Sequence, residues 1–259
     1  MPALYIPHGG GPSFFMTGER KQQFQSTEDF LRRIQSLLPA TPQAILVVTA
    51  HWETEIPSFT GGERPALIYD YYGFPPETYE IQYPAPGLPT LAARAAELVR
   101  AAGMPACVEP TYGWDHGVFI PLKVMFPNAT IPVVAMSLHR SLDPTLHCQL
   151  GQALRSLRDE GVLIVGSGMS FHNLRYFNQG AAASHAFHQW LDQALAGNWE
   201  QRRAELAKWD AAPGGRASHP REEHLIPLMV ASGAGSDVPA RKLWAGMAGA
   251  AHLAGWAFD

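Results

Sequence analysis

Eleven histidines stand against nineteen lysines and arginines in this 259-residue chain. Imidazole is the commonest metal ligand and the side chain whose charge is most easily tuned near neutral pH. Four of the histidines follow short apolar runs. His8 comes directly after "ALYIP" (Ala3–Pro7), His51 after "AILVVTA" (Ala44–Ala50), His139 after "IPVVAMSL" (Ile131–Leu138), and His172 shortly after "VLIVGSG" (Val162–Gly168). A lone histidine after a strand is more often a loop hydrogen-bonding residue than a ligand. Several on one rim change that, because a metal takes its ligands from different segments meeting at one point. His8 and His51 form the best pair: each leaves a buried strand, so its backbone is fixed before the loop begins. Gly9, Gly10 and Gly11 then permit a tight turn or a close approach of backbone to a ligand.

A third ligand must come from elsewhere. "SHPREEHLIPL" offers His219, Glu222, Glu223 and His224, or else an exposed acidic helix start. Pro227 begins or kinks the helix that follows, so His224 lies near a break in regular structure. His116 in "GWDHGVF" and His172 in "GSGMSFHNL" suit acid–base work beside a metal; helix-cap hydrogen bonds are the equal alternative. Asp115 reads as a cap for the following helix, and Gly117 as room beside the imidazole. His139 and His252 carry weaker cases. His147, His185 and His188 fall on predicted helices and are expected at the core edge or the surface. The chain has no HExxH, GxSxG, GxGxxG or GxxxxGK[ST] pattern.

The elements that position these residues alternate. The four apolar runs read as buried strands. Between them, Leu91, Ala95, Leu98, Val99 and Ala102 share one helical face, with Gly103 ending it. Asp143 and Pro144 cap and open a second helix, along which Leu146, Leu150, Ala153, Leu154 and Leu157 repeat and which Gly161 stops. "AAASHAFHQWLDQALAG" and "WEQRRAELAKW" read as two more. The expectation is an α/β fold: a single layered domain over 1–259, with a central, largely parallel or mixed sheet flanked by helices. Two long ordered loops are expected, the aromatic-rich Pro65–Pro89 and Asp210–His224. The aromatics of the first, Tyr71, Tyr72, Phe74 and Tyr79, either wall a pocket or pack the loop.

The net charge of −4 and the absence of any basic cluster longer than two argue against nucleic acid as a partner. No apolar run reaches membrane-spanning length, so no membrane association is expected. Two cysteines make no disulfide framework; Cys107, in the strand-like "ACVEP", is expected to be a buried free thiol, which suits a reducing compartment. The first residues show no basic stretch followed by a long apolar run, so a cytoplasmic location is expected.

Taken in order along the chain, "PHGGGP" (7–12), "VVTAHWET" (47–54), "YDYYGFPPETYEIQYPAPG" (69–87), "YGWDHGVFIPLKVMFP" (112–127), "GVLIVGSGMSFHNL" (161–174) and "HPREEHLIPL" (219–228) resemble the class III extradiol ring-cleavage dioxygenases, the LigB superfamily, in its DOPA-4,5-dioxygenase-like branch. The resemblance implies a mononuclear metal held by His8, His51 and His224. The two-histidine, one-glutamate set of the wider superfamily keeps Glu222 and Glu223 open as alternatives. It implies Fe(II) for activity, with Zn(II) able to occupy the same site. The substrates would be a catechol, DOPA-like or a related catecholic acid, and O₂; the ring would open beside the diol to a muconic semialdehyde. His172 would be the acid–base residue and His116 a second pocket histidine, with Tyr72, Phe74 and Trp52 at the substrate. Arg64, Arg175 and Arg221 are candidates for a substrate carboxylate. Many relatives carry HGSP where this chain has "HGGGP", so the third glycine bears on substrate preference. A zinc-dependent hydrolase, or a non-catalytic metal-binding protein on the same fold, is the alternative. Oligomeric state is open between a monomer and a homodimer.

Overall fold

Each central strand is apolar on both faces, and the architecture follows from that. In the computed structural model, which describes Met1–Asp259, four such strands lie side by side and parallel. They are β1 (Ala3–Pro7), β2 (Ala44–Thr54), β5 (Val133–His139) and β6 (Val162–Gly168), in the spatial order β5-β2-β6-β1. Alternate residues feed two separate cores. Leu46, Val48, Val134, Met136 and Ile164 pack towards the helices Pro89–Ala101, Pro144–Leu154, Ala181–Ala194 and Ile226–Ala234. Ile45, Val47, Val133, Ala135, Leu163 and Val165 pack towards the helices Gln25–Leu37 and His116–Met125. Side chains along a strand alternate in direction, so a continuous apolar run needs cover on both sides. The result is a single α/β domain with a mixed eight-stranded sheet.

The outer strands are less legible. β3 (Ser58–Thr60) pairs antiparallel with β5, and β4 (Cys107–Glu109) completes that edge. On the other edge the hairpin β7 (Arg241–Ala248) and β8 (Ala251–Phe258) adds antiparallel to β1. Cys107 is exposed, against the expectation of a buried thiol, because β4 is the outermost strand and its face is not covered. Cys148, on the helix Pro144–Leu154, is buried.

The helix signals hold at their starts and along most of their buried faces, less so at their ends. Asp143 accepts a hydrogen bond from the Leu146 amide at 2.6 Å. The buried face of Pro89–Ala101 is Leu91, Ala92, Ala95, Ala96 and Val99; Leu98 lies at its margin and Ala102 is exposed beyond its end. Gly161 has φ +82°, but the helix it was expected to stop already gives way to a 3₁₀ turn at Arg155–Arg158. Asn198 and Gln201 form a reciprocal capping box on Trp199–Leu206. His147 and His188 are buried rather than peripheral. No helix is long and apolar enough to cross a membrane.

One irregularity matters for function. The strand expected to end at Ala50 continues to Thr54, through His51. Between the pairs Val48↔Met136 and Glu53↔Leu138, β2 advances five residues while β5 advances two. The extra residues bulge the strand, and a bulge re-aims side chains at a sheet's rim.

Candidate metal and catalytic site

The carboxyl ends of β1, β2 and β6 are neighbours, and ligands of open α/β sheets bind beyond such ends. His8 follows β1 directly, with its amide donating to Gly168 O at 3.1 Å. His51 sits in the bulge of β2. His224 arrives from a loop, and its carbonyl is held by two strands' worth of donors: Tyr5 Oη at 2.8 Å and the Met169 amide at 3.1 Å. Gly168 permits this approach, since a Cβ there would lie 2.1 Å from His224 O.

The three rings form a nearly equilateral triangle. Centroid separations are 4.9 Å for His8–His51, 5.0 Å for His8–His224 and 4.9 Å for His51–His224. His8 Nε2 and His51 Nε2 are 3.2 Å apart. Two nitrogens each about 2.1 Å from one ion and roughly 100° apart would have that separation. The Nδ1 atoms face oxygens. Ser167 Oγ donates to Gly117 O at 2.5 Å, so it accepts from His8 Nδ1 at 3.1 Å. His224 Nδ1 donates to Glu223 Oε1 at 3.0 Å, and His51 Nδ1 lies 3.6 Å from Asp70 Oδ2. Metal-binding imidazoles are oriented in this way, one nitrogen fixed by an oxygen and the other left with its lone pair. His8 and His224 are so fixed by hydrogen bonds, while His51 only faces its carboxylate, beyond hydrogen-bond distance. Burial pushes all three pKa values down, His51 to about 3, with repulsion from neighbouring imidazoles adding to it. The rings are therefore neutral at pH 7, as ligation requires.

Two further histidines flank the triangle. His172 stacks on His224 at 3.4 Å, and its Nδ1 donates to the same Glu223 Oε1 at 3.1 Å. His116 lies 4.0 Å from His51, ring to ring, and 5.3 Å from His8. Its Nδ1 donates to Asp70 Oδ1 at 2.8 Å, and its amide to the same oxygen at 2.9 Å. Burial, the largest single influence, works against charge on both carboxylates. The hydrogen bond from its histidine, the attraction of neighbouring cationic groups and a backbone hydrogen bond together outweigh it and hold each one's pKa below the usual value. Donor atoms of His8, His51 and His116 lie within 4.8 Å of one another, as do those of His172, Glu223 and His224. By proximity alone, either group could also hold a cation.

A cavity of about 860 Å³ opens onto these residues. All five histidines line it, as do Gly9, Gly10 and Gly11, Tyr71, Tyr72, Phe74 and Met169. The aromatic loop therefore does both things expected of it. Tyr71, Tyr72 and Phe74 face the cavity, while Tyr69 and Tyr71 tie the loop to itself through Ile81 O and Thr78 O, each at 2.6 Å. Tyr79 packs on Tyr71.

Trp52, expected at the substrate, is directed elsewhere. It follows His51 on the strand and so points to the opposite side. There it stacks on Tyr112 at 4.0 Å and lines a separate cavity of about 370 Å³. His139 bonds Ser141, and His219 is buried between Phe187 and Trp209; neither reaches the site. Glu222 pairs with Arg216. Asp115 precedes the first residue of the helix His116–Met125, but its carboxylate accepts from Thr49 Oγ1 at 2.7 Å instead of capping. The room left by Gly117 is taken by Thr49 and His51, 2.7 and 2.9 Å from where its Cβ would stand.

Sequence reasoning missed Asp70, Ser167, Arg20, Gln23 and Phe24. Asp70 is one of three acids in an aromatic loop, with Glu77 and Glu80, a weak signal. Ser167 hides within an apolar strand. Residues 20, 23 and 24 share one face of the short helix Gly18–Gln23 and its exit, but nothing local ties them to His8.

The model of the catalytic LigB subunit of aromatic ring-opening dioxygenases matches residues 2–254. A dioxygenase, tasH, of Hapsidospora irregularis is 42% identical over 90% of this chain and 78% of its own length. The 4,5-DOPA dioxygenase extradiol of Escherichia coli K12 is 35% identical over 90% of this chain and 85% of its own; that of Portulaca grandiflora is 40% identical over 78% and 76%. Among solved structures, the uncharacterized protein JW3007 of Escherichia coli K12 superposes with a TM-score of 0.81 at 30% identity, over 100% of both chains.

Proposed function

We propose, from the premise that the chain belongs to the LigB family of aromatic ring-opening dioxygenases, that it is an Fe(II)-dependent enzyme that cleaves a catechol beside its diol with O₂, giving a muconic semialdehyde. The observation that carries this reading is the triangle of neutral imidazoles flanked by two further histidines, each bonded through Nδ1 to a carboxylate.

His8, His51 and His224 would hold the metal in this reading, and all three line the cavity that would admit the substrate. When bound, Fe(II) supplies the redox chemistry that couples an aromatic diol to O₂; Zn(II) suits the same donors but changes no oxidation state. His172 takes a hydroxyl proton from the catechol at Nε2 and later returns one. Its Nδ1–H stays on Glu223, whose negative charge stabilises the imidazolium formed in between. His116 is held by Asp70 as the Nδ1–H tautomer, which turns Nε2 into an acceptor for a substrate hydroxyl proton. Tyr71 and Phe74 exclude water along one wall, and Tyr72, almost fully solvent-exposed, stands at the mouth.

Oxygen uptake by the iron-loaded protein with a panel of catechols tests the reaction. One O₂ consumed per catechol, with a new semialdehyde absorbance, is expected. No uptake with any catechol while iron is bound would overturn the reading, and ester or amide turnover by the zinc-loaded form would favour a hydrolase. His8→Ala, His51→Ala and His224→Ala should each lose metal. His172→Ala should keep metal and lose about 10²- to 10⁴-fold in kcat. Loss of metal in His116→Ala or Glu223→Ala, with retention in His224→Ala, would change the ligand set.

A further inference from the structure

At about 860 Å³ the cavity is much larger than a catechol ring and leaves room for a side chain on the substrate. Four charged side chains line it: Arg20, Glu53, Arg221 and Glu223. Three of them satisfy one another or the imidazoles. Arg221 grips Glu53 with two hydrogen bonds of 2.6 Å and lies 3.5 Å from Glu223. Glu223 is shared by His172 and His224. Arg221 is thus already committed, and neither Arg64 nor Arg175 lines the cavity. Arg20 forms no ion pair; its guanidinium instead sits 5.7 Å above the ring of Phe74.

Its placement is built rather than incidental. Gly18, at φ +70°, starts the short helix Gly18–Gln23, which follows the glycine loop of His8 after a single 3₁₀ turn at Ser13–Phe15. The next residue after Arg20, Lys21, pairs with the buried Glu28 of the helix Gln25–Leu37, which anchors the turn. Phe74, the platform under the guanidinium, rests on Gly11. A Cβ at Gly11 would lie 3.1 Å from Phe74 Cζ, and Gly11 itself has φ +59°. The third glycine therefore sets the depth of Phe74, and Phe74 sets the position of Arg20.

We infer that Arg20 is a specificity-determining residue that binds the carboxylate of the substrate's side chain while the diol lies at the histidine cluster. A guanidinium presents two parallel N–H groups that match a carboxylate, and the Phe74 face limits the orientations it must lose on binding. This inference rests on the ring-cleaving reading for the orientation of the substrate.

The test compares 3-(3,4-dihydroxyphenyl)propanoate with its methyl ester on the iron-loaded wild type, Arg20→Gln and Arg20→Lys, with Arg64→Gln as the control outside the cavity. For the acid, Arg20→Gln should lower kcat/KM about tenfold, through KM, with kcat retained. For the ester the change should stay under about twofold. Arg20→Lys should fall between, and Arg64→Gln should match the wild type. The wild type's preference for the acid should shrink as sodium chloride is raised, because the arginine is solvent-exposed. Equal losses on acid and ester, or no loss on the acid, would overturn the inference. Anaerobic calorimetric titration of the same two ligands separates the two readings. If no catechol consumes O₂ but Arg20→Gln weakens binding of the acid alone, Arg20's role stands and ring cleavage fails. If both ligands are cleaved with equal kcat/KM, ring cleavage stands and Arg20's role fails.

Discussion

Asp70 shows how much of the site depends on residues that touch neither metal nor substrate. One of its oxygens takes both the ring and the backbone N–H of His116, and the other faces His51 at 3.6 Å. Removing it frees the His116 ring to rotate and to change tautomer. Loss of such an outer partner costs about 10- to 100-fold in activity or metal affinity in comparable sites. Asp70→Ala should therefore lower kcat by about that factor, and Asp70→Asn, which still accepts a hydrogen bond, by less. Steady-state kinetics beside metal content would check this. Wild-type values of both in Asp70→Ala would show that His116 needs no such support. The partnership was hidden in the sequence because 46 residues separate the two.

At the scale of elements, close backbone contacts hold His224 in place. The helix Ile226–Ala234 begins two residues after it and packs against Pro144–Leu154 through glycines. A Cβ on Gly151 would lie 2.1 Å from Val230 O, and one on Gly233 2.1 Å from Cys148 O. Gly166 gives the same clearance to Pro227 O, at 2.3 Å. Such overlaps fall on backbone and cannot be relieved by a rotamer. Gly233→Ala should destabilise the fold by about 1–3 kcal/mol or more, and should weaken metal binding as the helix shifts. Urea unfolding and a metal titration would measure the two; a variant unchanged in both would show that the helix pair can separate without moving His224. Strands β7 and β8 escaped the reading for a related reason. "RKLWAGMAGAAHLAGWAF" is dominated by small residues, so neither alternation nor a continuous apolar run marks it.

For the molecule as a whole, two histidines outside the site tie stability to pH. His147 Nδ1 donates to Asp143 O while its Nε2 accepts from the His139 amide. His188 Nδ1 donates to Ser184 O while its Nε2 accepts from Ser170 Oγ. Both are satisfied only as neutral rings, and burial lowers each pKa to about 4. Below pH 6.5 the unfolded chain binds protons that the folded chain refuses. Their stabilisation is therefore present above the unfolded value and is lost as pH falls from 6.5 towards 4, by ~3 kcal/mol for each ring. The stability difference between wild type and His188→Gln, from urea midpoints, should shrink by about that amount between neutral pH and pH 4. A pH-independent difference would mean that His188 is charged in the folded state or accessible to water.

The sequence by itself determined the chemistry available and the frame that presents it. Short continuous apolar runs that alternate with helical patterns read as central strands covered on both faces, which brings His8, His51 and the segment leading to His172 to one rim. The motifs from His8 to His224 were legible for the same reason: they are short, and each is set by its own strand or turn. The tertiary structure decided which groups meet. It gave Glu223 to both His172 and His224, gave Asp70 to His116, turned Trp52 away from the cavity, and left Arg20 as the one lining cation without a carboxylate. Those outcomes depend on a bulge in β2, on glycines that let backbones touch, and on hydrogen bonds between residues tens of positions apart. Local sequence sets the direction of a strand, but only packing fixes the few tenths of an ångström on which a hydrogen bond depends.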